Sequence, residues 1–331
     1  MTVARDDQEG VDAAMTAGTG IELDRIVDRI TRLRNQVRTV YLGPARGLDL
    51  AIGCLLAGGH LLLDDVPGVG KTTLARALAR SLNLEFNRVQ FTSDLLPGDI
   101  TGSHVYDPNR ADFSFRKGPV FTNLLLADEI NRASPRTQSS LLECMEERSV
   151  TIDGTQFTLP HPFWVVATQN PVETQGTFLL PRSQLDRFLV RTSLGYPDPD
   201  AELEIIENAR AGKSPQDLKP ILEAGDIEAM QTAVDRVHAS DSLKTYVIQI
   251  MRATRTHPSL ILGAGPRASI ALLRLGCAWA LLQGRDFATP DDIKGLIHPV
   301  LAHRLVEREG EISPARPETL QRIVETVPSP L

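Results

Sequence analysis

The sequence predicts an α/β fold: a parallel sheet built around a phosphate-binding loop, with a smaller all-helical domain after it. Three observations carry this. The glycine-rich stretch Pro67-Gly68-Val69-Gly70-Lys71-Thr72-Thr73 lies between a short apolar run, His60–Asp64, and a helical pattern marked by Leu74, Leu78 and Leu82. Two further apolar runs, at 124–127 and 163–168, have the length and even hydrophobicity of strands buried on both faces. Helical segments separate these runs, and such alternation builds a parallel sheet. Beyond the proline and aspartate run at 196–200, which reads as a linker, the pattern is helical to the end.

Taken in order, residues 1–20 carry acids and no apolar core, so they read as a disordered tail and not as a secretory signal. Leu23, Ile26, Ile30, Leu33 and Val37 recur at the helical period, and 47–57 reads as a second helix closed by Gly58 and Gly59. Two β-hairpins interrupt the α/β alternation. The first spans 102–118, with Asp107, Pro108 and Asn109 at its turn and Phe113 and Phe115 alternating on one strand. Those two aromatics are either packing or contacts for a client. The second hairpin, at 149–159, turns at Asp153-Gly154, which sets Val150 opposite Phe157. Past the linker, Gly265-Pro266 opens a helix with Ile270, Leu273, Cys277 and Leu281 as its expected apolar stripe, and Thr289-Pro290-Asp291-Asp292 opens another. The expected division is 1–20 tail, 21–197 α/β core with two hairpin inserts, and 198–331 helical domain.

Composition narrows the classes. The 331 residues suit two domains, and 42% hydrophobic with 23% charged residues is ordinary for a soluble globular chain. A net charge of −7 argues against a general nucleic-acid-clamping or membrane-clinging surface. The longest apolar stretch, 48–63, is broken by Asp49, Gly53, Gly58, Gly59 and His60 and is too short to span a bilayer. Cys54, Cys144 and Cys277 lack metal-ligand spacing and read as buried small hydrophobes of a reducing compartment, so the expected location is cytoplasmic.

The chemistry-bearing residues cluster after the apolar runs. Glycines let the loop at 67–73 aim its N–H groups at phosphate oxygens, and the following helix adds a favourable dipole. Lys71 can neutralise the β- and γ-phosphates, and the Thr72 hydroxyl can bind Mg²⁺. The usual loop pattern opens on glycine where this chain has Asp65. That residue opens the loop, so its side chain points either away or inward; aimed inward, the carboxylate weakens phosphate binding, and the expectation for Asp65→Gly is unchanged activity or tighter ATP. Asp128 and Glu129 end the second apolar run, where Mg²⁺ needs an acid and the attacking water a base. Asn170 ends the third, either to orient that water or as a turn former before Pro171. Arg187 is either an arginine finger or a surface residue, and Arg267, at a helix start, either reaches a γ-phosphate or faces water.

Together these residues resemble the MoxR family of AAA+ ATPases across about residues 21–305. The specific stretches are QFTSDLLPGDITG (90–102), FRKGPVF (115–121), ADEINRASPRTQSSLLECMEE (127–147), VVATQNPVETQGTFLLPRSQLDRF (165–188) and GAGPRAS (263–269). The resemblance implies a P-loop AAA+ nucleotide-binding domain with a parallel sheet, followed by a small all-helical lid. It implies a ring, usually a hexamer, with ATP and Mg²⁺ at subunit interfaces. The hairpins match inserts of the helix-2 and pre-sensor-1 kind near the ring pore. On that mapping Asn170 looks like sensor 1, Arg187 like the arginine finger and Arg267 like sensor 2, and Arg132 faces either a neighbour or solvent. Departures are Asp65, Pro44 in place of a glutamine near adenine, and Arg182 in place of an acid. The expected activity is ATP-driven, chaperone-like remodelling with a partner carrying a von Willebrand factor A domain. Alternatives are a nucleotide-switched scaffold and a magnesium-chelatase-like motor subunit.

Overall fold

The computed structural model describes residues 23–109, 111–171, 176–308 and 315–330; the expected tail lies outside them. Chain order begins with α1 (23–38), α2 (Ala45–Leu56), β1 (His60–Asp64), α3 (Lys71–Ser81), β2 (Phe86–Gln90) and α4 (Pro97–Thr101). The first hairpin is β3 (Gly102–Asp107) and β4 (Asp112–Lys117); β5 (Leu124–Asp128) and α5 (Pro135–Glu147) follow. The second hairpin is β6 (Ser149–Ile152) and β7 (Thr155–Thr158), before β8 (Trp164–Gln169), α6 (Arg182–Leu185) and β9 (Phe188–Thr192). The remainder holds α7 (Pro199–Arg210), α8 (Ala224–Arg236), α9 (Asp241–Thr256), β10 (Leu260–Leu262), α10 (Pro266–Leu282), α11 (Pro290–Leu301), β11 (Val306–Glu307) and α12 (Pro317–Glu325).

Among the described residues the sheet has five strands in the order β2-β5-β8-β1-β9, and every pairing is parallel. Its apolar runs are buried as their composition requires: all of β5 and the first five residues of β8 are out of water. Register brings the polar ends to one edge. Gln90 pairs with Asp128, Leu63 with both Thr168 and Thr192, and Asp64 with Gln169. From β1 the chain crosses to the far edge at β2 and steps back through β5 and β8, so a crevice opens between β1 and β8 at the carboxyl ends, where open α/β sheets bind ligands.

Both hairpins form, with Val150 opposite Phe157. They are tied together. Phe115 stacks on Phe157 at 4.2 Å between centroids, and His104 Nδ1 lies 2.7 Å from Asp153 Oδ2. Phe115 is thus a packing residue, while Phe113, two residues nearer the turn on the same face, lies beyond that stack and is 64% exposed beside the half-exposed Tyr106 ring.

Two expectations for the helical part need correction. A short antiparallel ladder, β10 with β11, interrupts the helices. In α10 the buried face is wider than one stripe and turned away from Ile270, which is 67% exposed. The cause is packing on two sides: Leu275 and Leu282 close on Gly53 of α2, and Gly276 lies against Ile293 of α11. One hydrophobic core therefore runs from α1, α2 and β1 into α8–α12. Arg34 reinforces this junction, bonding Asp49 at 2.7 Å and the Leu282 carbonyl at 3.1 Å. The three cysteines are buried free thiols, as expected.

Candidate nucleotide site

A cavity of about 320 Å³ opens at the carboxyl edge of the sheet. One wall is the loop after β1, with Pro67, Gly68 and Gly70 and then Lys71, Thr72 and Thr73 at the start of α3. Gly68 and Gly70 take φ of 92° and 91°, left-handed values that admit glycine without strain. Val69 between them sends its side chain into the core, leaving its backbone to the loop. Lys71 Nζ donates to the Asp65 and Val66 carbonyls at 2.7 and 3.0 Å, so its side chain arches over the loop. Desolvation lowers the Lys71 pKa, opposed by the nearby carboxylates of Asp65, Asp128 and Glu129.

Asp65 points away from this cavity. It is 6% exposed, and its carboxylate accepts the N–H of Leu194 and, at 3.4 Å, that of Gly195. It braces the chain leaving β9 against the chain leaving β1. The same carboxylate, with burial as the larger cause, pushes the Tyr41 hydroxyl up to about 12.

The facing wall comes from β5, β8 and β2. Asp128 is buried; Thr168 Oγ1 donates to its Oδ1 at 2.5 Å and accepts the Glu129 N–H at 2.9 Å. Arg88 holds the other oxygen, from Nη2 at 2.6 Å and Nε at 3.1 Å. Glu129 takes φ 56° and ψ 49°, a left-handed conformation that costs a non-glycine residue on the order of 1 kcal/mol and swings its side chain out of the strand's alternation. Its Oε2 is buried without a hydrogen bond among the described residues, although Arg132 Nη1 stands at ion-pair distance, 3.3 Å. Asn170, one residue past β8, also lines the cavity. Arg88, Gln90 and Thr168 line it too and escaped the sequence reading. Strand β2 is FNRVQ, with one buried residue, so it carries no apolar run to announce it; the alternation of Arg88, Val89 and Gln90 was the available signal.

Arg187 and Arg267 do not line their own chain's cavity. Both reach Glu146 near the end of α5: Arg187 Nε lies 2.9 Å from Oε2, and Arg267 Nη2 lies 2.8 Å from Oε1. Arg132 reaches Glu129 and not solvent alone. Arg182 donates to the Leu305 carbonyl, so the charge that departs from the family pattern is used within the chain.

The residues fit Mg²⁺ held together with phosphates. Thr72 and Asp128 present hard oxygen donors to the cavity, Glu129 lines it with a buried Oε2 that Arg132 meets at ion-pair distance without a hydrogen bond, and the described residues contain no group of three or more His, Cys, Asp or Glu that would make a protein-only cage.

A parallel sheet with a glycine loop at its switch point, an acidic pair on the next strand and a helical lid defines a P-loop ATPase of the AAA+ class. Residues 60–190 match the profile described as ATPase family associated with various cellular activities (AAA), and residues 252–327 match the AAA lid domain. The chain is 40% identical to the chaperone MoxR1 of Mycobacterium tuberculosis, over 92% of this chain and 83% of that protein. It is 46% identical to the uncharacterised protein YeaC of Bacillus subtilis, over 86% of this chain and 87% of that one. A crystal structure from Cytophaga hutchinsonii, of a candidate ATPase, superposes with a TM-score of 0.88 at 34% identity, covering 96% of this chain and 99% of the other. The chain belongs to the MoxR family of AAA+ ATPases.

Proposed function

We propose that the chain binds ATP with Mg²⁺, hydrolyses it to ADP and phosphate, and couples hydrolysis to chaperone-like remodelling or maturation of partner proteins in a closed ring of its own copies. The observation that carries this reading is the meeting of Lys71, Thr72, Asp128, Glu129 and Asn170 around one cavity. Lys71 exchanges its two carbonyl partners for the β- and γ-phosphate oxygens, and the loop N–H groups cradle the same phosphates. Mg²⁺, when bound, supplies charge neutralisation at those oxygens; Thr72 and Asp128 would hold it. Asn170 orients the attacking water. Glu129 accepts the water's proton as the water oxygen bonds to the γ-phosphorus and the bond to the ADP oxygen breaks.

Arg187 and Arg267 lie outside the cavity of their own chain, which supports action on a neighbouring subunit's nucleotide, Arg187 as a finger on transition-state charge and Arg267 as a sensor. The assembly is read as a hexamer, each copy comprising a core over 21–197 and a lid over 198–331. The exposed Tyr106 and Phe113 pair on the first hairpin is read as client contact. The partner is read as a protein with a von Willebrand factor A domain. The compartment is read as the cytoplasm, supported by the three unpaired cysteines. Glu129→Gln tests the chemistry: it should bind ATP with wild-type affinity by calorimetry and lose at least about 100-fold in steady-state hydrolysis. Hydrolysis within twofold of wild type would remove Glu129 from the role.

A further inference from the structure

Glu146 and Arg267 are placed against their local helix energetics. Glu146 is in the last turn of α5, where the helix dipole disfavours an anion, and Arg267 is in the first turn of α10, where it disfavours a cation. Neither turn holds a charge that would correct this: the last turn of α5 has no basic residue and the first turn of α10 no acidic one. What both placements gain is each other. One carboxylate oxygen of Glu146 engages Arg267 of the lid and the other engages Arg187 of the core.

The Arg187 end of this cluster is rigid. The preceding residue, Asp186, is clamped by Arg304, whose side chain is 5% exposed, through Nε at 2.7 Å; Arg304 Nη2 also binds the Phe188 carbonyl at 2.7 Å. The Arg267 end is open, with a side chain 68% exposed. Two guanidiniums share one carboxylate, so the cluster carries a surplus positive charge toward solvent, the charge a phosphate of another copy's nucleotide would meet.

We propose that Glu146 is a positioning residue that holds Arg187 and Arg267 as one unit, acting on the nucleotide of the neighbouring subunit and tying lid orientation to hydrolysis there. This rests on the reading of Arg187 as a finger in trans. Exposed ion pairs of this kind are each worth about 1 kcal/mol or less, so the cluster adds little to folding and yields readily to a triphosphate.

The test uses the full chain and four substitutions. Glu146→Gln should lower kcat about tenfold or more while KM for ATP stays within about twofold and the melting temperature is unchanged. Combined with Arg187→Ala, it should reduce kcat no further than Arg187→Ala alone, because both act through one group. Mixed with Glu129→Gln subunits, Glu146→Gln subunits should recover activity, since some interfaces then join an intact Glu129 to an intact cluster; a residue serving its own pocket, or a misfolded subunit, gives no recovery. Glu146→Ala repeats each measurement without the amide. Wild-type kcat in Glu146→Gln beside an inactive Arg187→Ala overturns the proposal and leaves the finger standing, as does recovery in Arg187→Ala mixtures without recovery in Glu146→Gln mixtures. Wild-type kcat in Arg187→Ala overturns the finger and the proposal with it.

Discussion

Asp65 occupies a glycine position of the phosphate loop, and replacing it should unfold the protein more easily instead of improving it. The carboxylate is 6% exposed and accepts the Leu194 and Gly195 N–H groups. In Asp65→Gly the buried Leu194 N–H loses its acceptor, and a buried donor left unpaired costs about 1–3 kcal/mol. The Gly195 bond, at 3.4 Å, is long and adds a few tenths at most. Glycine at 65 also loosens the unfolded chain by roughly 0.5–1 kcal/mol relative to a residue with a Cβ. The sum is about 2–4 kcal/mol. At roughly 2 °C per kcal/mol for a chain of this size, the melting temperature should fall by about 4–8 °C. Asp65→Asn is the control: its single amide oxygen can still accept the Leu194 N–H and gives up only the long Gly195 bond, so most of the loss should be restored. Nucleotide-free protein followed by differential scanning calorimetry reads this directly. A melting temperature unchanged in Asp65→Gly, or equal losses in the glycine and asparagine variants, would refute the brace.

The remaining expectations concern pH and the hairpins. His60 is buried and doubly used: its Nδ1 accepts the Val165 N–H at 3.0 Å, so its Nε2–H donates to the Met145 carbonyl at 3.1 Å, and burial lowers its pKa to about 4. The unfolded chain takes up the proton near pH 6.5 and the folded chain only near 4, so stability is complete above 6.5 and is lost as pH falls between them, at about 1.4 kcal/mol per pH unit. Denaturant midpoints from pH 7.5 to 5 should show this slope, steepened by His303, whose pKa burial also depresses; His60→Gln should flatten it, and an unchanged slope would exclude His60 as the source. Phe115→Ala should lower stability by about 1–2 kcal/mol through the lost Phe157 stack, whereas Phe113→Ala should leave the melting temperature alone and weaken only partner-stimulated hydrolysis; the opposite pattern would reverse their assignments.

Much of this protein was legible from local chemistry. Lys71, Thr72, Asp128, Glu129 and Asn170 sit at the ends of apolar runs, and a parallel sheet must bring such ends to one edge, so their meeting in one cavity follows from pattern alone. The hairpin register followed from the Asp153-Gly154 turn for a similar reason, since a two-residue turn leaves one pairing. Arg88 was invisible because an edge strand buried on one face has no continuous apolar run, and its partner Asp128 lies forty residues away.

What the sequence by itself determined is therefore the class, the family and the list of phosphate-edge residues, all properties of short segments. Tertiary structure alone decided where Asp65 points, which face of α10 is buried, and that Arg187 and Arg267 converge on Glu146. Each of these depends on which distant element packs alongside: the turn after β9 against the loop after β1, α2 and α11 around α10, and the lid against the end of α5. A side chain's direction there is set by the surface it meets, and no local period or propensity encodes that surface.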